Sequence, residues 1–114
     1  MKVNSLCRIR DVQKALQVYE QQFVKATGLT LKEGMLLCCL SENDCNATHL
    51  AEKIELSCSN CSKVINSAEK KGLIQRHFGL SDKRQIRFSL TNSGKAKVEL
   101  MKQNLPEMPQ ILKV

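Results

Sequence analysis

Between positions 8 and 26 apolar residues recur at Ile9, Val12, Leu16, Tyr19, Phe23 and Val24, near the 3.6-residue repeat of an α-helix, and Gly28 supplies a stop. Thr30 with Glu33 three residues on has the pattern of a capping box. The run Met35, Leu36, Leu37, Cys38, Cys39, Leu40 is apolar nearly all round, which predicts a second helix central to the core. Ser41 to Asp44 breaks it. Asn46 can cap a short third helix that buries Leu50, Ala51 and Ile54, and Ser57 can cap a fourth. On that fourth helix Cys61, Val64, Ile65 and Ala68 fall on one face, leaving Ser59, Asn60, Ser62, Lys63, Asn66, Ser67 and Lys70 on the rest.

After Gly72 the period changes from 3.6 to 2. Residues 73–78 can form one strand and residues 85–90 a second, with Ile86, Phe88 and Leu90 inward and Gln85, Arg87 and Ser89 outward. The polar stretch 79–84 reads as a hairpin tip. Thr91 caps a last helix to about Leu105, where Pro106 and Pro109 end regular structure before an apolar tail of Met108, Ile111, Leu112 and Val114. The order predicts a mainly α (α+β) winged helix-turn-helix, about five helices with a two- to three-stranded β wing.

Charge sharpens this picture. Between Ser57 and Lys97 the basic residues are Lys63, Lys70, Lys71, Arg76, Lys83, Arg84, Arg87, Lys95 and Lys97, and the acidic ones are Glu69 and Asp82, nine against two. That surplus equals the whole formal charge of +7, so the remainder of the chain is neutral. Cations gathered on one contiguous third suit a polyanion, although a solubilising face has the same composition. Spacing separates the two: short helices joined by Glu55, Leu56 and Ser57, followed by a hairpin, make a helix-turn-helix with a wing. In such a unit the second helix enters the major groove, and small polar side chains near its start meet base edges. Ser59, Asn60, Ser62 and Asn66 suit that task, Lys63 and Lys70 can neutralise phosphates, and Arg76, Lys83 and Arg84 place cations on the wing.

Residues 46–94 resemble the MarR family of winged-helix transcription regulators. The resemblance runs through Leu50-Ala51-Glu52, the stretch from Leu56 and Ser57 to Lys63-Val64-Ile65, Glu69 with Lys71-Gly72-Leu73-Ile74 and Arg76, Asp82-Lys83-Arg84, and Leu90-Thr91 with Gly94. Gly28-Leu29-Thr30 and Glu33 extend it upstream, to about two-thirds of the chain. It implies a homodimer on pseudo-palindromic double-stranded DNA, often a repressor released by a small-molecule effector or an oxidant. A recognition helix over 57–71 would lie in the major groove and a wing over 76–87 at the minor groove. Asp82 would orient Arg84 for insertion, and residues 57–63 and Asn66 would line the recognition helix. The resemblance also implies a single winged-helix domain over 1–114, with dimerisation elements at 1–28 and 92–114 and a DNA-binding lobe at 30–91. Members usually carry longer C-terminal helices than the roughly 20 residues after Gly94, so a dimer here would rest on the first helix, a short last helix and the apolar tail.

Six cysteines, with no export signal behind Met1, suggest reduced thiols and a cytoplasmic protein. Cys58-x-x-Cys61 has the form of a redox dithiol, and with Cys38, Cys39 or Cys45 could suggest zinc; the same residues serve equally as core packing, since Cys61 continues a buried stripe. The resemblance singles out Cys7, near the position of a reactive cysteine in peroxide-sensing members that is helped by tyrosines, of which this chain has only Tyr19. His49 reads as a surface residue, and His77 as a wing residue able to touch a phosphate. No cofactor, metal site, catalytic constellation or membrane-spanning run is expected. The competing readings are a cysteine-based redox or metal sensor, and a winged helix used for protein contact.

Overall fold

A computed structural model describes residues 3–78 and 86–112, apart from the side chains of Val3 and Cys58. The order of elements is α1 (Val3–Thr27), α2 (Leu31–Glu42), β1 (Cys45–Asn46), α3 (Ala47–Lys53), α4 (Cys58–Lys70), β2 (Ile74–Phe78), β3 (Ile86–Leu90), α5 (Asn92–Asn104) and a 3-10 turn at Gln110–Leu112. The strands form one antiparallel sheet in the order β1-β3-β2. Five helices and a three-stranded sheet are the predicted winged helix-turn-helix.

Local chemistry sets most boundaries. Thr30 Oγ1 accepts from Glu33 N–H at 3.2 Å while Glu33 Oε1 accepts from Thr30 N–H at 2.9 Å, the reciprocal capping box. Asn46, Ser57 and Thr91 cap α3, α4 and α5 through His49, Asn60 and Gly94 N–H groups. At its other end α4 closes with Gly72 N–H to the Glu69 carbonyl and Leu73 N–H to the Ala68 carbonyl, a Schellman pattern in which Gly72 takes a φ of 73°. The turn between α3 and α4 closes in the same way, Glu55 N–H to Glu52 and Leu56 N–H to Ala51. Here the left-handed position falls to Glu55, at φ 53°, a conformation that costs a side chain energy and that glycine adopts freely.

The core gathers Leu36, Leu37 and Leu40 of α2, Leu50 and Ile54 at α3, Cys61, Ile65 and Ala68 of α4, and Phe88 and Leu90 of β3. Two expectations change. The apolar stripe of α1 splits: Tyr19 and Phe23 are buried, Val12 is half-buried, and Ile9, Leu16 and Val24 are exposed, Ile9 at 50%. Only the C-terminal half of α1 packs under the rest of the fold, which extends 56 Å along its longest axis. In α2, Met35 and Cys38 are not core residues, because they face an open cavity. The pairing of β1 with β3, Cys45 opposite Phe88 and Asn46 opposite Arg87, has no signature in the sequence, since a two-residue strand has no period. Arg87 reinforces it by donating to the Asp44 carbonyl at 2.7 Å.

Candidate nucleic-acid interface

The amphipathic pattern of α4 becomes its orientation. Cys61, Ile65 and Ala68 are buried, with the Cys61 Sγ directed at the Ala47 carbonyl of α3. Ser59, Asn60, Ser62, Lys63, Asn66 and Lys70 are all exposed, as is Ser57 at the cap. α4 therefore presents small donors and acceptors at its start and two ammonium groups further along, on the side turned away from the core. Ser57 Oγ is engaged by the Asn60 N–H at 3.2 Å, so its first role is to cap.

Two ion pairs fix this helix. Glu33 of α2 is 2% exposed and accepts from Lys71 Nζ at 2.8 Å, from Ser67 Oγ at 2.7 Å and from the Thr30 N–H. Burial pushes its carboxyl up, but the hydrogen bonds from Lys71, Thr30 and Ser67 outweigh it and hold the group below its ordinary value. The sequence pattern shows only the capping half of this role. It also overstates the charge surplus, because Glu33 lies outside the basic window yet compensates Lys71 within it.

The second pair joins α4 to the wing. Arg76 Nε and Nη2 donate to the two Glu69 oxygens, each at 2.8 Å, and Nη2 reaches Asn66 Oδ1 at 3.5 Å. Its guanidinium also lies 5.5 Å from the centroid of the Phe88 ring. The hydrogen bonds to Glu69 raise the Arg76 guanidinium above its ordinary value. Arg76, expected as a wing cation for DNA, is thus held by α4 and acts first to set the angle between helix and sheet. Lys97 likewise donates to the Thr27 carbonyl at 2.8 Å and Arg87 to Asp44, so part of the basic window is structural. His77 is not on the α4 side: strand alternation turns it to the opposite face, where it bonds Ser89. Asp82, Lys83 and Arg84 lie outside the described residues.

Behind the helix-turn-helix is a cavity of about 530 Å³, bounded by Tyr19 of α1, Met35 and Cys38 of α2, Ile54 beside the turn, and Met101 and Leu105 of α5 and its end. Lys32, Lys53 and Lys102 stand in the same wall, as does Glu55 of the strained turn. Burial pushes the Cys39 thiol up, against the nearby Lys53 charge. Cys7 is exposed on α1, and Tyr19, twelve residues on in the same helix, is about 18 Å further along the axis. The side chain of Cys58 is not among those described, so the Cys58-x-x-Cys61 pair lies partly outside the described residues. Among the described residues no group of three or more His, Cys, Asp or Glu side chains is placed to hold a metal ion. Nor is any described helix long and apolar enough to cross a membrane.

Comparison with known proteins agrees with this geometry. The chain belongs to the MarR family, whose sequence model matches residues 29–86. Its members are DNA-binding transcription regulators, not enzymes. A MepR-like protein solved with pseudoligands is 26% identical over 90% of this chain and 73% of its own, with a TM-score of 0.79. A probable transcriptional regulator from Pseudomonas aeruginosa is 28% identical over 80% of this chain and 71% of its own, with a TM-score of 0.73. A Staphylococcus aureus MepR mutant bound to an oligodeoxyribonucleotide shares the fold, at 21% identity over 90% of this chain and 76% of its own and a TM-score of 0.69. No curated protein matches by sequence.

Proposed function

We propose that this chain is a sequence-specific regulator that reads duplex DNA with α4 in the major groove and the wing at the minor groove. The observation that carries this reading is the division of α4 into a buried apolar face and an exposed face of Ser59, Asn60, Ser62, Lys63, Asn66 and Lys70. Small polar groups near a helix start can approach base edges, and its amide groups favour a phosphate. Lys63 and Lys70 neutralise backbone charge, and Lys83 and Arg84, with Asp82 orienting the latter, reach the minor groove. Arg76 positions the wing.

A homodimer gives two such heads. The exposed apolar residues of α1, Leu6, Ile9 and Leu16, and those at the C-terminal end, Leu105 and Met108, support it, since apolar surface left uncovered in one chain favours association. The cavity supports a small-molecule effector, with an apolar body and an acidic head met by Lys32, Lys53 or Lys102. Because Ile54 and Glu55 belong both to its wall and to the helix-turn-helix turn, occupancy there can bias the placement of α4, and linkage makes the effect reciprocal. An anionic aromatic dye such as anilinonaphthalene sulfonate is expected to bind once per chain and to alter duplex affinity. Dye bound with duplex affinity unmoved would separate cavity from interface.

The interface itself is tested by Lys63→Ala and Arg84→Ala. Lys63→Ala is expected to weaken specific and random duplexes alike and to lower the salt slope by about one. Arg84→Ala is expected to cost about 1–3 kcal/mol on the specific site. An unchanged slope in the first, or unchanged affinity in the second at fixed salt, removes that residue from the interface.

A further inference from the structure

Phe78 is 65% exposed, the most exposed large apolar side chain among the described residues. The other exposed apolar side chains among the described residues lie on the helices and the C-terminal segment, whereas Phe78 is at the end of β2. Its direction follows from strand alternation. Ile74, Arg76 and Phe78 share one face of β2, and opposite them in register are Leu90, Phe88 and Ile86. Ile74 is buried, and Arg76 reaches Glu69 and Asn66 on α4. Because Gly72 reverses the chain, β2 runs back beside α4, and Phe78 lies about 7 Å beyond Arg76 on the side that faces it. The aromatic ring thus stands at the far end of β2, on the face from which Arg76 reaches Asn66 of α4.

A ring in that place has no use in the core, and its surroundings decide its partner. The neighbouring exposed groups on α4 are amide, hydroxyl and ammonium, not the apolar cluster of a protein-docking patch. The exposed face of α4 that Arg76 reaches through Asn66 also carries Lys63 and Lys70. An apolar side chain on the same side as a cationic helix face matches a duplex: phosphates meet the charges, and the deoxyribose edges lining the minor groove offer the apolar surface beside them. We propose that Phe78 is an apolar DNA contact, laid against the sugars of the minor-groove wall beside the wing. It rests on the reading of α4 and the wing as a duplex-binding surface and adds a residue that carries no charge.

The test uses the full chain and a duplex recovered from a random-sequence library with it. The sequence contains no tryptophan, so Phe78→Trp is a single-site reporter. On adding duplex its emission is expected to be quenched and shielded from acrylamide. Phe78→Ala is expected to weaken binding about tenfold, with Phe78→Leu between it and the wild type. The salt slope should stay at the wild-type value in both, because an apolar contact releases no counterions. Wild-type binding with Phe78→Ala within twofold of it overturns this inference alone, as does Phe78→Trp emission indifferent to bound duplex. A fall in protein self-association on Phe78→Ala, with duplex affinity per dimer intact, also overturns it, since the ring then serves a second copy of the chain. A wild-type chain that binds no duplex at all takes down the broader reading together with this one.

Discussion

Replacing Glu33 with alanine probes how firmly α4 is tied to the lobe behind it. The carboxylate accepts three hydrogen bonds from a nearly water-free position, and each has a separate magnitude. The capping arm to the Thr30 N–H is worth about 1 kcal/mol. The Ser67 hydroxyl, donating to a buried anion, adds about 1.5 kcal/mol. The Lys71 ammonium is 41% exposed, so solvent screens it and about 0.5 kcal/mol is a fair share. Glu33→Ala is therefore expected to lose about 3 kcal/mol, a large fraction of the stability of a domain this size. In urea titration the midpoint should fall at constant m, and Tm should drop by about 12 °C. Glu33→Gln, which keeps one acceptor oxygen, should lose about half as much. The pH dependence follows from the sign of the shift. The folded carboxyl titrates below its ordinary value of 4.5, so its contribution is complete above that pH and is lost as pH falls through the folded value. The gap between wild type and Glu33→Gln should accordingly narrow in acid. An alanine variant within about 0.5 kcal/mol of wild type at neutral pH would refute the role of Glu33 as the tie between α2 and α4.

Two further substitutions test the backbone geometry that aims α4 and the wing. Glu55→Gly removes the left-handed strain at the helix-turn-helix turn and should stabilise by about 0.5–1 kcal/mol after the entropy cost of glycine, read as a higher Tm; a lower Tm would mean that the Glu55 side chain holds the turn. Gly94→Ala places a Cβ on the Leu73 carbonyl oxygen, which already accepts from the Thr91 N–H, so α5 must move off the base of the sheet. A loss of about 2 kcal/mol or more is expected in urea titration, and a neutral result would show that helix and sheet are free to separate at this point.

The features legible in the sequence were those decided within a few residues. Thr30, Asn46, Ser57 and Thr91 cap the helices read from their patterns, because a cap needs only its own side chain and an amide two or three positions away. The division of α4 into a core face and a polar face was equally visible, since burial of Cys61, Ile65 and Ala68 follows from helical spacing. What escaped depends on distant partners. The strand β1 exists only through β3, and Glu33 meets Ser67 and Lys71 from more than thirty positions away. The Glu69 partner of Arg76 sits on another element, and the Ser89 partner of His77 on another strand, so neither contact has a local pattern. The apolar stripe of α1 is visible in the sequence, whereas the exposure of Ile9, Leu16 and Val24 depends on which part of the helix the rest of the fold covers.

Selection of bound fragments from a random duplex library, by the wild type and by Asn60→Ala in parallel, tests the central claim most directly. Asn60 is exposed at the start of α4, where base edges are expected. The wild type should yield a consensus of two related half-sites about one helical turn apart, and the variant should yield the same consensus with one base pair per half-site relaxed. Fragments without any shared sequence, or a variant consensus identical to that of the wild type, would contradict the placement of the α4 N-terminus in the major groove.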